Sequence, residues 1–255
     1  LPGDGIGPEV MEATLPLLGR VAHGAPFALS FAEHPAGALH FQATGSALPD
    51  ATLEAARRAH AILFGAMGWP EIRYPDGTEI APQLDLRVVL ELYAGVRPVR
   101  AIPGVPLPLA DPRARGIDLV VVRESTEGLF ASRGKGTIED DAEARDTMVI
   151  TRRGCERVHD FAFRLARRRK ARGRPGEVTC VDKANVFRSM AFFRKVFDER
   201  ARAFPDLVAR HHYVDATALD LVRKPWTFDV LVTENMFGDI LSDETAALAG
   251  GMGMA

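Results

Sequence analysis

Cysteine is scarce in this 255-residue chain. Cys155 and Cys180 are the only two, and they form neither a metal-ligand spacing nor a disulfide framework. That fits a reducing compartment. Tyrosine is almost as rare, at Tyr74, Tyr93 and Tyr213. No apolar run approaches the roughly 20 residues of a membrane span, and no signal peptide is expected. The expectation is therefore no membrane partner and a cytoplasmic location. The chain opens at Leu1 without Met, so a lost presequence, and with it a mitochondrial location, stays open. Net charge is only −2, which gives no electrostatic reason to expect nucleic acid as partner. There is no internal repeat, no low-complexity tract and no G-x-G-x-x-G fingerprint of a Rossmann unit.

What is present is an ordinary globular composition, 47% apolar and 26% charged. Its length suits one large domain or two smaller ones, at roughly 150 residues each. Strand-like and helix-like runs alternate. Glu9 to Ala22 reads as a helix with a possible kink at Pro16, and Ala61 to Phe64 as a short buried strand. Leu84 to Tyr93 reads as a helix, Val96 to Val99 as an extended segment, and Asp118 to Val122 as a strand. Helices follow at Cys155 to Arg169 and Val186 to Arg202, with a strand at Val178 to Val181 between them. The strand Phe228 to Val232 and the helix Asp239 to Leu248 close the series, with Gly238 read as the break between them. This alternation predicts an α/β fold with a largely parallel sheet and ligand sites at the carboxyl ends of its strands. The stretch 128–150 interrupts the rhythm and reads as a hairpin or arm leaving the sheet.

The segment Glu234-Asn235-Met236-Phe237-Gly238-Asp239-Ile240-Leu241-Ser242-Asp243-Glu244 carries the strongest chemistry. Asp239 and Asp243, four apart, share one helix face, where like charges repel unless a cation lies between them. Oxygen-only ligation suits Mg²⁺ or Mn²⁺. An isolated D-x-x-x-D is more often a solvated helix start. Leu1-Pro2-Gly3-Asp4-Gly5-Ile6-Gly7 places glycines ahead of a helix, where backbone at Gly5 and Ile6 can approach a ligand, although a plain turn reads equally well. Arg87, Arg97 and Arg123 stand at element ends, each able to fork onto a carboxylate. Lys183, in Val181-Asp182-Lys183-Ala184-Asn185, follows a strand and is a candidate base. Asp215 supplies a third acid after His211-His212-Tyr213, histidines read as structural because neighbours on a strand point apart. The basic run from Arg164 to Arg174 reads as the solvated end of a helix.

In this order the pieces resemble the β-decarboxylating dehydrogenases, the isocitrate/isopropylmalate dehydrogenase family. LPGDGIGPEV at 1–10, LR…LYAGVRP at 86–98, VVRESTEG at 121–128, VDKAN at 181–185, YVDA at 213–216 and ENMFGDILSDE at 234–244 carry the resemblance. It implies a two-domain α/β fold with parallel or mixed sheets. The first, cofactor-side domain would hold 1–93, and the second 94–249, with a dimer arm at about 128–150. Residues 250–255 would return to the first domain, whose remainder lies beyond the chain. It further implies a homodimer with shared active sites. Arg87, Arg97 and Arg123 would then hold the carboxylates of a small polycarboxylate substrate, with Gln83 nearby. Asp239 and Asp243 would bind Mg²⁺ or Mn²⁺ together with Asp215 of the other subunit. Lys183, also from the other subunit, would act as base. Asn185 would lie near substrate and nicotinamide, with Gly5 and Ile6 on the cofactor side.

The implied reaction is oxidative decarboxylation of a 3-carboxylated 2-hydroxy acid with NAD or NADP. The adenosine-binding segment that separates those cofactors lies beyond Ala255 in the family. Ala81 and Gln83, six and four residues before Arg87, match neither the Ser and Asn of isocitrate enzymes nor the apolar second position of isopropylmalate enzymes. An isopropylmalate-like substrate and an isocitrate- or homoisocitrate-like one rank close together, with D-malate or tartrate behind. Phe130 stands where the family usually has the tyrosine that assists the final protonation. That departure keeps a non-catalytic or regulatory subunit open as the alternative.

Overall fold

Pro8 in its first turn pre-sets the φ of helix α1 (Gly7–Ala22), which runs on through Pro16. Helices α2 (Ala38–Thr44), α3 (Asp50–Arg58) and α4 (Pro82–Val89) follow. The computed structural model describes residues 1–251, so 252–255, in the stretch expected to return to the first domain, lie outside the described residues. Leu1–Glu91 forms one unit and Leu92–Ala255 a second. In the first, Asp4 is buried and accepts hydrogen bonds from Ala38 N (2.7 Å), Leu39 N (2.9 Å) and Gly68 N (3.0 Å), tying the head of α2 to the 65–68 loop. Ala38, Ala47 and Ile80 form a small core with Phe41, Ile72 and Tyr74.

Ala61 to Phe64 belongs to no strand. The backbone bonds beside it, Leu1 N to Leu63 O (3.0 Å) and Gly65 N to Leu1 O (2.9 Å), make no ladder. The helix expected to reach Tyr93 stops at Val89, because Glu91 takes a left-handed backbone (φ 50°) that a right-handed helix cannot contain.

The second unit is a layered α/β body. Its strands are β1 (Ala94–Arg100), β2 (Asp118–Glu124), β3 (Thr137–Glu139), β4 (Glu143–Arg145), β5 (Glu177–Asp182), β6 (Val208–Tyr213) and β7 (Val230–Thr233). Its helices are α5 (Arg152–Lys170), α6 (Arg188–Ala201), α7 (Val214–Arg223) and α8 (Asn235–Leu248). The main sheet has the order β1-β2-β7-β5-β6. Strand β1 is antiparallel to β2, and the remaining pairs are parallel. Val120 and Val122 of β2 pack with Val158 and Phe163 of α5 and Phe193 and Phe197 of α6. Leu119 and Val121 turn the other way, toward Leu221 of α7 and Leu241 and Leu248 of α8. A strand with apolar residues at both parities is thereby covered on both faces.

The parallel pairing sets the carboxyl ends of β2, β7, β5 and β6 along one sheet edge. The stretch 128–150 leaves that sheet as expected. Gly128 N donates to Val149 O (2.9 Å) at its neck, and β3 and β4 form a separate two-stranded hairpin with Ile138 76% exposed. The basic end of α5 is largely exposed, as expected, with Arg164, Arg167, Arg168, Lys170 and Arg172 on the surface and Arg169 half-buried. Arg169 reaches Asp229 (2.7 Å) and Asp118 (3.0 Å), and Arg167 pairs with Asp206. His211 meets Asp198 of α6 and His212 meets Asp220 of α7, so the two rings do point apart.

Candidate active site

Helix α8 begins earlier than the sequence suggested. Glu234 caps it, accepting from Met236 N (3.0 Å) and Phe237 N (2.6 Å), and Gly238 lies inside the first turn instead of breaking the chain. A Cβ at Gly238 would stand 2.3 Å from Thr233 Oγ1 and 2.7 Å from Arg123 Cβ and Cγ. The glycine is needed for this close approach, because the Arg123 stem crosses the helix there. Arg123, at the end of β2, then has three neighbours. Its Nε donates to Asn235 Oδ1 (2.9 Å), its Nη1 pairs with Asp239, and its face lies over the Phe130 ring, 4.8 Å from Cζ to ring centre. Nη2 is buried without a partner. Burial pulls the guanidinium below its ordinary pKa, an effect opposed by Asp239 and reinforced by Arg97.

The loop after Arg123 is held by carboxylates. Glu124 is buried and accepts from Thr126 N (2.9 Å) and Glu127 N (2.7 Å). Burial raises its pKa, as it does for Glu234. Asn235 Nδ2 donates to Glu127 O (2.8 Å), and the Glu127 carboxylate accepts from Thr151 N (2.8 Å) at the head of α5. Gly128, at φ +76°, turns the chain toward Phe130, and a Cβ there would meet Glu234 Oε2 at 2.9 Å.

A second group forms beyond β5 and β6. Lys183 Nζ donates to Asp215 Oδ1 (2.5 Å), and that hydrogen bond holds the carboxyl below its usual range. The lysine's turn is set by Asp182, which is buried, accepts from Ala184 N (2.8 Å) and pairs with both Nε (2.8 Å) and Nη2 (2.7 Å) of Arg194. Lys183 and Arg194 both stand over the Tyr213 ring. Asn185 is exposed at the end of this turn.

The structure thus joins Arg123 with Asp239, and Lys183 with Asp215. It keeps the two pairs apart: β7 separates β2 from β5, so their strand axes stand about 10 Å apart. Asp243 is exposed one turn beyond Asp239. Arg97 sits on β1 opposite Val121. Among the described residues no three His, Cys, Asp or Glu side chains gather to hold a metal ion. In the first unit, Arg87 and Gln83 lie on α4, and a Gln83 amide oxygen is buried without a partner. Gly5 has φ +56° and open space where a Cβ would stand, and Ile6 is exposed. Gly3 and Gly7 instead pack on the Ala66 backbone. The sequence reading gave no role to Asn235, Asp182 or Glu124. The arginine partners of Asn235 and Asp182 lie 112 and 12 residues away in sequence, which no local pattern reveals.

A family model described as isocitrate/isopropylmalate dehydrogenase matches residues 1–255. The chain is 43% identical over 254 residues to a 3-isopropylmalate/3-methylmalate dehydrogenase of Methanocaldococcus jannaschii, a match covering 99% of this chain and 71% of that protein. It is 42% identical over 262 residues to a 3-isopropylmalate dehydrogenase of Prochlorococcus marinus, covering 100% of this chain and 71% of that one. Among solved structures, an isocitrate dehydrogenase from Methylococcus capsulatus superposes with a TM-score of 0.85 at 37% identity, over 99% of this chain and 70% of that chain. The TT0538 protein of Thermus thermophilus gives a TM-score of 0.83 at 42% identity, over 99% of this chain and 48% of that one.

Proposed function

The chain belongs to the isocitrate/isopropylmalate dehydrogenase family and is a β-decarboxylating dehydrogenase, and from that premise we propose that it carries out metal-dependent, NAD(P)-linked oxidative decarboxylation of a 3-carboxylated 2-hydroxy acid. The observation that carries this reading is the line of strand ends along one sheet edge, with the Arg123–Asp239 pair beyond β2 and β7 and the Lys183–Asp215 pair beyond β5 and β6. Asp239 and Asp243 offer only oxygen donors from one exposed face of α8, a set that suits Mg²⁺ or Mn²⁺. With Asp215 of the partner subunit they would hold that ion. When bound, the ion supplies Lewis-acid stabilisation of negative charge on oxygen.

The chain's own residues supply the rest. Arg87, Arg97 and Arg123 hold substrate carboxylates, Arg123 through the fork that its unpartnered Nη2 leaves available. Lys183 takes the proton of the 2-hydroxyl, and the dinucleotide, when bound, would supply the acceptor for the hydride on C2. The 3-carboxylate then departs as CO₂, and a proton returns to C3. Asn185, Gly5 and Ile6 are the residues proposed beside the cofactor.

A homodimer with shared sites fits the surface of the second unit. Asp215 lies on one face of α7 with Leu219 and Val222, both at least half exposed, and α7 packs beside α8, where Ile240 is 60% exposed. These apolar residues suit burial against a second copy, which would bring Asp215 and Lys183 of one subunit to Asp239 and Asp243 of the other. The exposed hairpin at 137–145 is the proposed clasp.

The unpartnered Gln83 amide favours a second reading of the substrate. Its oxygen accepts, so a hydroxyl-bearing substituent at C3 would satisfy it and a carboxylate would do so only with the amide turned to present its nitrogen, whereas an isopropyl group would leave it unpaired. The test is a panel of 3-isopropylmalate, isocitrate, homoisocitrate, D-malate and tartrate, each with Mn²⁺ and NAD⁺ or NADP⁺. Reduced dinucleotide and CO₂ in equal amounts from one acid is the expected result. No turnover of any acid, with binding retained, would favour a regulatory subunit instead.

A further inference from the structure

We propose that Asn235 is a positioning residue for substrate binding, one that acts by aiming the Arg123 guanidinium; this rests on the reading of Arg123 as a carboxylate holder. Asn235 is 1% exposed and uses both ends of its amide. Oδ1 accepts from Arg123 Nε at 2.9 Å, and Nδ2 donates to Glu127 O at 2.8 Å. An arginine stem carries several free torsions, and a guanidinium gives two parallel hydrogen bonds to a carboxylate only when its plane is fixed. Pinning Nε fixes that plane. The Phe130 ring covers one face, and Gly238 lets the stem lie close on α8. The edge left over carries Nη1, shared with Asp239, and the unpartnered Nη2.

A neutral amide is the group this position needs. Aspartate would put a second negative charge on Arg123 and turn an acceptor toward the Glu127 carbonyl. Leucine would leave Nε and that carbonyl buried and unpaired. The second bond also ties the aim of Arg123 to the loop bearing Phe130, because Glu127 directly precedes the Gly128 turn.

The test is a double-mutant cycle in the full-length chain with Mn²⁺ and the best acid of the panel above. Asn235→Ala is expected to raise KM and the calorimetric Kd for that acid roughly tenfold, with kcat and the dinucleotide KM changed far less. In an Arg123→Lys background, where no Nε remains to be held, the same change is expected to cost nothing more. Melting curves establish that the variants fold, and Asn235→Ser, able to replace at most one bond, serves if the alanine variant does not. Additive losses in the cycle would overturn the proposal, as would parallel changes in kcat and both KM values or no change at all. If Arg123→Lys alone leaves acid binding untouched, the reading of Arg123 fails first and takes this proposal with it.

Discussion

The Phe130 ring lies against the Arg123 guanidinium, with 4.8 Å between the ring centre and Cζ. A phenylalanine serves this packing as well as a tyrosine does, since the cation meets the ring face. The hydroxyl is what this chain lacks at the position where the resemblance implies a tyrosine. Hydride transfer and loss of CO₂ do not require a phenol, but return of a proton to C3 requires an acid. Phe130→Tyr is expected to raise kcat, by up to the ~10² to 10⁴-fold that one positioned acid contributes. Single-turnover kinetics with both forms check this. A fall in kcat would show that another group already delivers the proton.

Asp239 is engaged by Arg123 and its side chain is 48% exposed. Asp239→Asn removes an anionic ligand from a hard cation and is expected to weaken Mn²⁺ binding more than tenfold, roughly. Calorimetry with Mn²⁺ alone reads this directly, and unchanged affinity would remove the metal reading.

If the site is shared, Lys183 and Asp239 of one working site belong to different subunits. Lys183→Ala and Asp239→Asn variants, each nearly inactive, are then expected to recover partial activity when mixed and refolded. Some mixed dimers would hold one intact site. Heterodimers that form without recovering activity would place both groups in the same subunit's site.

His159 is fully buried against Phe193, Phe197 and the Phe193 carbonyl, and burial pushes its pKa down to about 3. The unfolded chain takes up that proton near pH 6.5, whereas the folded chain refuses it until near pH 3. The associated stability is therefore present above pH 6.5 and lost as pH falls below it, by about 1.4 kcal/mol per pH unit. Melting temperature is expected to drop between pH 6.5 and 5, and His159→Gln, which does not titrate, to flatten that slope. Equal slopes for the two proteins would count against the assignment.

Elements whose pattern is local are legible in the linear chain. The apolar run of β2, the long periodicity of α5 and the pairing of Asp239 with Asp243 on one helix face all follow from spacings of a few residues. The six motifs likewise identified the family, because their order survives in the linear chain. The remaining features come from long-range packing. It made Glu234, not Gly238, the start of α8, because Gly238 serves the Arg123 stem and not a chain break. It left Ala61 to Phe64 outside any strand, since a strand exists only where a neighbour completes its ladder. It drew Arg169 from a solvated basic run into contact with buried Asp229. It also joined Asn235 to Arg123 and Glu127 across 112 and 108 residues. Hydrogen bonds of that span depend on which strand ends stand side by side, and strand order is settled by packing, which no local spacing records.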